Sequence, residues 1–161
     1  FSYKNKLAAP RITKVVVSSA TGTGMKKDQK RNEHVLGRIA RITGQKPSLK
    51  GAKKSVASFK IRQGDPIGVM VTLRGAKMYA FLDKLLNIAL PRTKDFRGIE
   101  RKIVDNIGNA TIGIKEHTIF PETADEDIRD VFGMAVTIAT TAKTKDEATA
   151  FFELLGLPFK K

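Results

Sequence analysis

The sequence contains no cysteine at all, and aromatic residues make up only 7% of it. Without cysteine the chain holds neither a disulfide framework nor a cysteine-ligated zinc site, and this composition suits a reducing compartment. No run of apolar residues approaches the roughly 20 that a membrane-spanning helix needs, and no signal peptide is visible. We therefore expect neither a secreted disulfide scaffold nor a membrane partner.

Acidic residues are scarce in the first half of the chain, which makes that half strongly positive. Residues 1–77 hold 18 lysines and arginines against three acids, a balance of +15, whereas residues 78–161 hold 12 against 13, a balance of −1. Densely packed cations repel one another unless a polyanion neutralises them, and nucleic acid is the usual polyanion. The alternative is a merely soluble basic surface, although such surfaces normally mix both signs.

Hydrophobic residues make up 41% of the 161 residues and are spread along the chain, which predicts a single folded domain. Alternating or β-branched runs predict strands at residues 12–19, 67–74, 111–115 and 135–141. Helical spacing of apolar residues predicts helices at residues 28–43, at residues 77–90 and from residue 144 onwards. We expect an α+β fold in which an antiparallel sheet carries its helices on one side.

Turn and cap signals bound these elements. Gly44 is a stop signal for the first helix, and Pro91 is expected to end the second. Thr144 and Glu147 have the spacing of a capping box at the start of the last helix. Residues 92–109 show no period, which predicts a long surface loop.

Two basic features stand out in the first half. On the first helix, a basic stripe falls within about 40° of a common line, well away from the apolar face. The stripe consists of Lys27, Arg31, His34, Arg38 and Arg41. Residues 45–64 hold six basic residues and no acid, and they are rich in Gly, Ser and Pro. We interpret this segment, with an end near residue 66, as an extended basic arm with short strand pieces that lies on phosphates.

No catalytic or metal site is evident. Gly22 and Gly24 precede two lysines, but the spacing of a P-loop is not met, so a turn whose amides touch a phosphate fits better. His34 and His117 have no second histidine or cysteine at metal-ligand spacing, and His117 is expected at the surface. No serine–histidine–aspartate arrangement can be argued either. We predict no enzyme activity, no cofactor and no metal.

Other charged and aromatic residues leave alternatives open. Residues 122–130 are unusually acidic but lack the calcium-loop pattern, so they form either a solvated loop or a face for a basic protein partner. Phe59 and Tyr79 are able to stack on bases, whereas Phe81, Phe151 and Phe152 fit the core better. The aromatic pattern of RRM-type single-strand readers is missing, which favours recognition of shape and phosphate.

Several blocks of sequence resemble one known family. They are GQKP at residues 44–47, KSVASFKIRQGDPIG at 54–68, VTLRG at 71–75, LPRTKDFRG at 90–98, TTAKT at 140–144 and LGLPFKK at 155–161. In this order they resemble the bacterial ribosomal protein five of the large subunit. The KIRQG and LPRTKDFRG blocks are specific, and the resemblance covers almost the whole chain.

The resemblance implies a structural role on 5S rRNA in the central protuberance, with contacts to large-subunit rRNA and to other proteins there. Carried over by position, it implies rRNA contacts at Ser18, Thr21, Lys26, Gln45, Lys46, Arg92 and Arg97. Lys27 and Arg31 of the basic stripe are further rRNA candidates. It implies peptidyl-site tRNA contacts at Ser58, Lys60, Arg62 and Gln63. Residues 99–109 and 122–130 would face small-subunit ribosomal protein thirteen, with Glu122, Asp125, Asp127 and Asp130 as bridge candidates.

The chain departs from the family pattern at three places. The family usually opens with a helix of about five turns, whereas this chain begins at Phe1, so we expect its natural N-terminus to be missing. Ser18, Ser19 and Ala20 replace an Asn-Met-Gly-like turn, and Ala110 stands where the family usually has Tyr. Contacts at those positions are therefore expected to differ.

A cytoplasmic ribosome is the expected location, and a bacterial one fits better than an organellar one because no transit peptide is visible. Two rival functions remain open from the sequence. One is a free RNA chaperone or regulator outside the ribosome. Co-sedimentation with large subunits would distinguish a ribosomal protein from this alternative. The other is an enzyme acting on nucleotides or RNA, which any turnover by the pure protein would revive.

Overall fold

The computed structural model describes residues 1, 3–21, 29–94, 96–124 and 131–160, and only the backbone of Gln29 and Lys30. Five strands form one antiparallel sheet in the order β2-β3-β1-β5-β4. They are β1 Ile12–Ala20, β2 Ser48–Gly51, β3 Pro66–Leu73, β4 Ala110–Ile114 and β5 Met134–Thr140. The four predicted strands are confirmed to within one residue at each end, and β2 is one of the strand pieces expected in the arm.

The centre of the sheet shows why these residues form strands. Val15 lies opposite Leu73 on one neighbour and Ile138 on the other, and all three are 0% exposed. Successive residues of a strand point to opposite faces, so β-branched residues at alternate positions cover one face and leave the other to small or polar residues. One face of the sheet is therefore built for packing.

Three helices supply the other side of the core: α1 Gln29–Thr43, α2 Gly75–Lys84 and α3 Lys145–Leu154. Helical spacing places five apolar residues of the second helix inward, and all are buried: Met78, Phe81, Leu82, Leu85 and Ala89. Val35 and Ile39 of α1 are 1% and 0% exposed. Phe81 and Phe152 are buried core residues as expected, while Phe151 is half-buried against the same core. One cluster joins the three helices to the covered face, which confirms the α+β fold.

Helix ends follow the predicted signals with one exception. Gly44 adopts a φ of 65° after α1, and the Thr144 hydroxyl accepts a hydrogen bond from the Glu147 backbone N–H at 3.3 Å. Pro91 does not end the second helix. The helix continues past Lys84 as a π-helical turn, Leu85–Ala89, and a 3₁₀ turn, Leu90–Arg92, because proline in the first turn of a helical segment needs no N–H donor.

The arm is a hairpin excursion between β2 and β3. The N–H of Ala52 donates to the carbonyl of Asp65 at 2.8 Å, and the N–H of Gly64 donates to the carbonyl of Ala52 at 2.9 Å. Farther out, Val56 and Ile61 form an antiparallel bridge that closes on a 3₁₀ turn, Ala57–Phe59. Residues 53–60 are all exposed, so the arm is held by its own backbone rather than by the core.

The predicted loop 92–109 is fixed by the C-terminal segment. Ile99 pairs in parallel with Phe159, through one hydrogen bond to the Pro158 carbonyl and one from the Lys160 N–H, both 2.8 Å long. The guanidinium group of Arg101 lies over the Phe159 ring and its side chain pairs with Glu153 at 2.7 Å. The last residues of the chain therefore serve as a strap across this loop.

His117 was wrongly expected at the surface. It is 0% exposed, its ring stacks on Phe132 with centroids 4.0 Å apart, and its Nδ1 accepts a hydrogen bond from the Phe132 N–H at 3.3 Å. It lies in an aperiodic segment, where no pattern indicates burial. Within the described part of the chain, no helix is both long and apolar enough to cross a membrane.

Candidate nucleic-acid interface

None of the described elements covers the face of the sheet opposite the helices; we call it the open face. Its residues are half-buried or exposed, and none of them is acidic. They are Lys14, Val16, Ser18, Ala20, Ser48, Lys50, Gly68, Met70, Thr72, Thr111, Gly113, Ala135, Thr137 and Ala139.

Small side chains make the open face flat. The strand register aligns one row across all five strands, and this row consists of Ser48, Met70, Ser18, Ala135 and Gly113. In the next row the hydroxyls of Thr111 and Thr137 are 3.0 Å apart and hydrogen-bonded to each other. A broad surface on which most side chains are small allows a rigid duplex backbone to approach closely.

Lysines and an arginine lie around the open face. Lys14 and Lys50 are exposed on it, while Arg74 and Lys115 follow β3 and β4 and are exposed at its margins. Such cations attract phosphate and release counterions when they bind it. The open face therefore has the shape and charge of a surface for a structured RNA.

Four predicted rRNA residues lie on or beside the half of the sheet formed by β2, β3 and β1. Ser18 lies on the open face, and Lys46 is exposed just before β2. Two others also have structural partners. The Gln45 side-chain amide donates to the Thr72 carbonyl at 3.0 Å, and the Thr21 hydroxyl donates to the Ile67 carbonyl at 3.4 Å.

The remaining rRNA candidates are elsewhere. Arg31 is exposed on α1, where Arg41 of the same predicted stripe is also exposed and His34 and Arg38 are half-buried. Arg92 and Arg97 are exposed in the segment that precedes β4, and β4 itself lies about four strand spacings, or roughly 19 Å, from β2. Lys26 and Lys27 lie outside the described residues.

The four predicted tRNA residues are brought together at the tip of the arm. Ser58 lies in the 3₁₀ turn, and Lys60 closes that turn with a left-handed φ of 53°. The Asp65 carboxylate accepts from the Arg62 N–H at 2.6 Å, and the Ser55 hydroxyl accepts from the Gln63 N–H at 2.9 Å.

These backbone contacts leave the side chains of the tip facing outwards. Ser58, Lys60, Arg62 and Gln63 are all exposed. Between them the ring of Phe59 is 62% exposed, so it is also available for stacking on a base. The tip is thus a compact basic surface with one aromatic ring.

One member of the predicted acidic bridge is described. Glu122 lies in a 3₁₀ turn, Pro121–Thr123, and pairs with Lys84, whose ammonium group also donates to the Ile42 carbonyl at 2.7 Å. Its side chain is 34% exposed, so it is both an internal ion-pair partner and a surface carboxylate. Asp125, Asp127 and Asp130 lie outside the described residues.

The shifted pKa values lie away from the open face. A hydrogen bond to Glu147 raises the pKa of Tyr3 to about 12, and the same bond is the main cause of a lowered pKa at Glu147. A hydrogen bond from Lys102 lowers the pKa of Glu100. Among the described residues, no group of three or more histidines and acids is placed to hold a metal ion.

The sequence prediction missed most of the open face. Lys14, Thr72, Thr111 and Thr137 were read only as strand residues, although their outward positions follow from the alternation that identified the strands. The signal was present: small or polar residues alternate with Val and Ile on several strands. Only the sheet order shows that they form one continuous surface.

Comparison with known proteins gives a consistent result. The family described as Ribosomal protein L5 matches residues 5–62, and the family that describes the C-terminus of the same ribosomal protein matches residues 66–159.

Similar bacterial proteins cover the whole chain. One from Halothermothrix orenii and one from Acaryochloris marina are each 50% identical over 161 residues, which is all of this chain and 89% or 88% of those proteins. One from a Thermotoga species is 46% identical over all of this chain and 87% of its own length. Each of these relatives is named Large ribosomal subunit protein uL5.

Proposed function

This chain belongs to the ribosomal protein L5 family, and from that premise we propose that it binds 5S rRNA, touches peptidyl-site tRNA and bridges to the small subunit. It is a structural constituent of the large ribosomal subunit rather than an enzyme, and its relatives come from bacteria. Its place is the cytoplasmic ribosome, among rRNA. Each of the three contacts uses a different surface of the fold.

The main support for 5S rRNA binding is the open face. It is flat, it includes no acid, and Lys14, Lys50 and Arg74 lie on it or at its margin. The sheet is backed by the buried core, so the surface is rigid before RNA arrives and little ordering entropy is lost on binding. Ser18 lies on the same surface, and Lys46 is exposed just before β2.

The arm tip supports the tRNA contact. The hairpin holds Lys60 and Arg62 away from the core, and a folded tip presents them without the entropy cost of an extended chain. The bases and phosphates of a tRNA elbow are matched by the exposed Phe59 ring and by these two cations. The tip of the arm is separate from the open face, so both contacts can form at once.

The small-subunit bridge is supported by Glu122 and by the position of loop 99–109. Ile107 in that loop is 69% exposed, although it is apolar. An exposed apolar residue and a surface carboxylate are suited to a basic protein partner. The partner we propose is small-subunit ribosomal protein thirteen.

A filter-binding titration against 5S rRNA, with an unrelated RNA of equal length as competitor, tests the first contact. Thr137→Glu places an acid at the centre of the open face and should weaken specific binding by about tenfold or more, since each close phosphate then meets a like charge. Leu154→Glu, at an 89% exposed site on α3, is the matched control and should change affinity less than about twofold. Equal effects of the two variants would remove the open face from the RNA site.

A further inference from the structure

A groove runs along the outer edge of β4, the last strand of the sheet. Its volume is about 690 Å³, within the roughly 300–1,000 Å³ that ligand sites occupy. The floor is β4 with the residues that follow it, and the opposite wall is formed by residues 90–94 and 96–103. Apolar side chains line it: Leu90, Phe96, Ile99, Ile112, Ile114 and Ile119.

The backbone of β4 is available at this edge. Within the described ranges β5 is the one strand that pairs with β4, and Val104 bridges Ala110 on the side away from β5. On that side the Asn109 carbonyl accepts the Asp105 N–H at 2.8 Å. Alternate residues of a strand direct their backbone groups to the same side, so those of Gly113 point into the groove.

Gly113 leaves room for another chain at the middle of this edge. It is exposed, and a Cβ atom built there would meet no atom within 4 Å. A sheet edge with outward backbone groups is a template for a further strand. Neighbouring pockets then receive alternate side chains of that strand.

The charges at the groove indicate what that strand carries. Among the described residues, Arg92, Lys94 and Lys115 line it, against one acid, Glu116. We propose that this groove binds an extended segment of a partner protein, which adds a strand to β4, inserts apolar side chains into the groove and places acidic side chains on Lys94 and Lys115. RNA fits less well, because the lining is aliphatic and a ribose-phosphate backbone offers no peptide ladder.

This inference goes beyond the proposed RNA contacts. It uses the outer edge of β4 and the wall opposite it, although Gly113 and Lys115 also belong to or border the open face and Arg92 is a predicted rRNA residue. Thr137 does not line the groove, so the Thr137→Glu variant tests 5S rRNA binding without altering the groove.

The probe is a labelled synthetic peptide that alternates Val or Ile with Glu or Asp, titrated against the whole chain by fluorescence anisotropy. We expect saturable binding, and we expect Gly113→Pro to weaken it about tenfold, because proline removes the outward N–H. Gly113→Val keeps that N–H at an unobstructed site, so its affinity for the peptide should be within about twofold of that of the unaltered chain. Lys94→Glu with Lys115→Glu should weaken binding about tenfold through charge alone.

A modified probe tests the same backbone ladder on the unaltered protein, so the result does not depend on whether the proline variant folds. N-methylation of alternate residues of the peptide keeps its side chains and charge but removes its ladder donors, and should abolish binding to the unaltered protein. Equal affinity of the methylated probe would overturn strand addition. Equal affinity of an all-acidic peptide without Val or Ile, or full displacement of the probe by a short single-stranded RNA, would overturn the apolar groove as a peptide site.

Discussion

Gly98 lies against Lys160 so closely that a Cβ atom on Gly98 would be 2.9 Å from the Lys160 backbone nitrogen. Gly98 also has a φ of 91°, a conformation that side chains with a Cβ rarely adopt. This contact joins two of the sequence blocks that identify the family, LPRTKDFRG and LGLPFKK, at the strap formed by Ile99 and Phe159.

Gly98→Ala should destabilise the fold by about 2–4 kcal/mol, because it combines backbone strain with a steric clash against the strap. Urea unfolding followed by circular dichroism measures the loss. Gly156→Ala is the matched control: its φ is 90°, but open space surrounds the site, so only the strain of about 1 kcal/mol applies. An equal decrease in the free energy of unfolding for the two variants would show that the strap moves aside without cost and that the clash does not matter.

Lys84 holds the end of α1 to the rest of the molecule. Its ammonium group donates to the Ile42 carbonyl at 2.7 Å and pairs with Glu122, and its side chain is only 21% exposed. Lys84→Met keeps the apolar stem but leaves that carbonyl and that carboxylate without their donor. We expect a loss of about 1–2 kcal/mol in the free energy of unfolding.

Lys77→Met is the control for this substitution. Lys77 donates to the Gly44 carbonyl at 2.9 Å, but it is exposed. Because water replaces the lost hydrogen bond, the free energy of unfolding should fall by less than about 1 kcal/mol. Chemical denaturation of the two variants side by side gives the comparison. A larger loss at Lys77 would contradict the role assigned to burial.

The Tyr3–Glu147 hydrogen bond should make the contact between the N-terminal segment and α3 sensitive to pH in two ranges. Tyr3 has a raised pKa, about 12 against an ordinary 10.0, so the contact contributes fully below pH 10 and is lost as pH rises towards 12. Glu147 has a lowered pKa against an ordinary 4.5, so its contribution is present above that value and is lost as pH falls through the lowered one.

Tyrosinate absorbance measures this directly. The chain has two tyrosines, so Tyr79→Phe leaves Tyr3 as the sole titrating phenol. We expect a midpoint near 12 in that background, returning to about 10 when Glu147→Ala is added. A midpoint near 10 in both proteins would show that the hydrogen bond does not persist in solution.

Sequence reasoning succeeded where periodicity is strong. The covered face of β3, with Val69, Val71 and Leu73 exposed by 3% or less, follows directly from alternation. It failed at His117 and Pro91, where the outcome depends on tertiary contacts. The ring of His117 is buried because Phe132, fifteen residues away, stacks on it, and no local pattern carries that information.

The interface was also predictable only in part, because its positions depend both on local sequence and on tertiary structure. Charge along the chain indicated a nucleic acid partner, and the family resemblance placed the tRNA candidates on one arm. The row that links Ser48, Ser18 and Gly113 across the open face depends on the sheet order, which brings together strands far apart in the chain. Strands that pair in the sheet are not all consecutive in the chain, so no single segment of sequence predicts which strands become neighbours.

Lys60 and Arg62 should matter more for tRNA than for 5S rRNA, because the hairpin holds them away from the open face. Replacing both with Ala should weaken binding of tRNA to reconstituted large subunits by about tenfold, while 5S rRNA affinity of the free chain changes less than about threefold. Lys60→Gly with Arg62→Ala is the better-controlled pair, since glycine accepts the left-handed φ of 53° without strain and preserves the turn. A similar loss for both RNAs would place the arm on 5S rRNA instead.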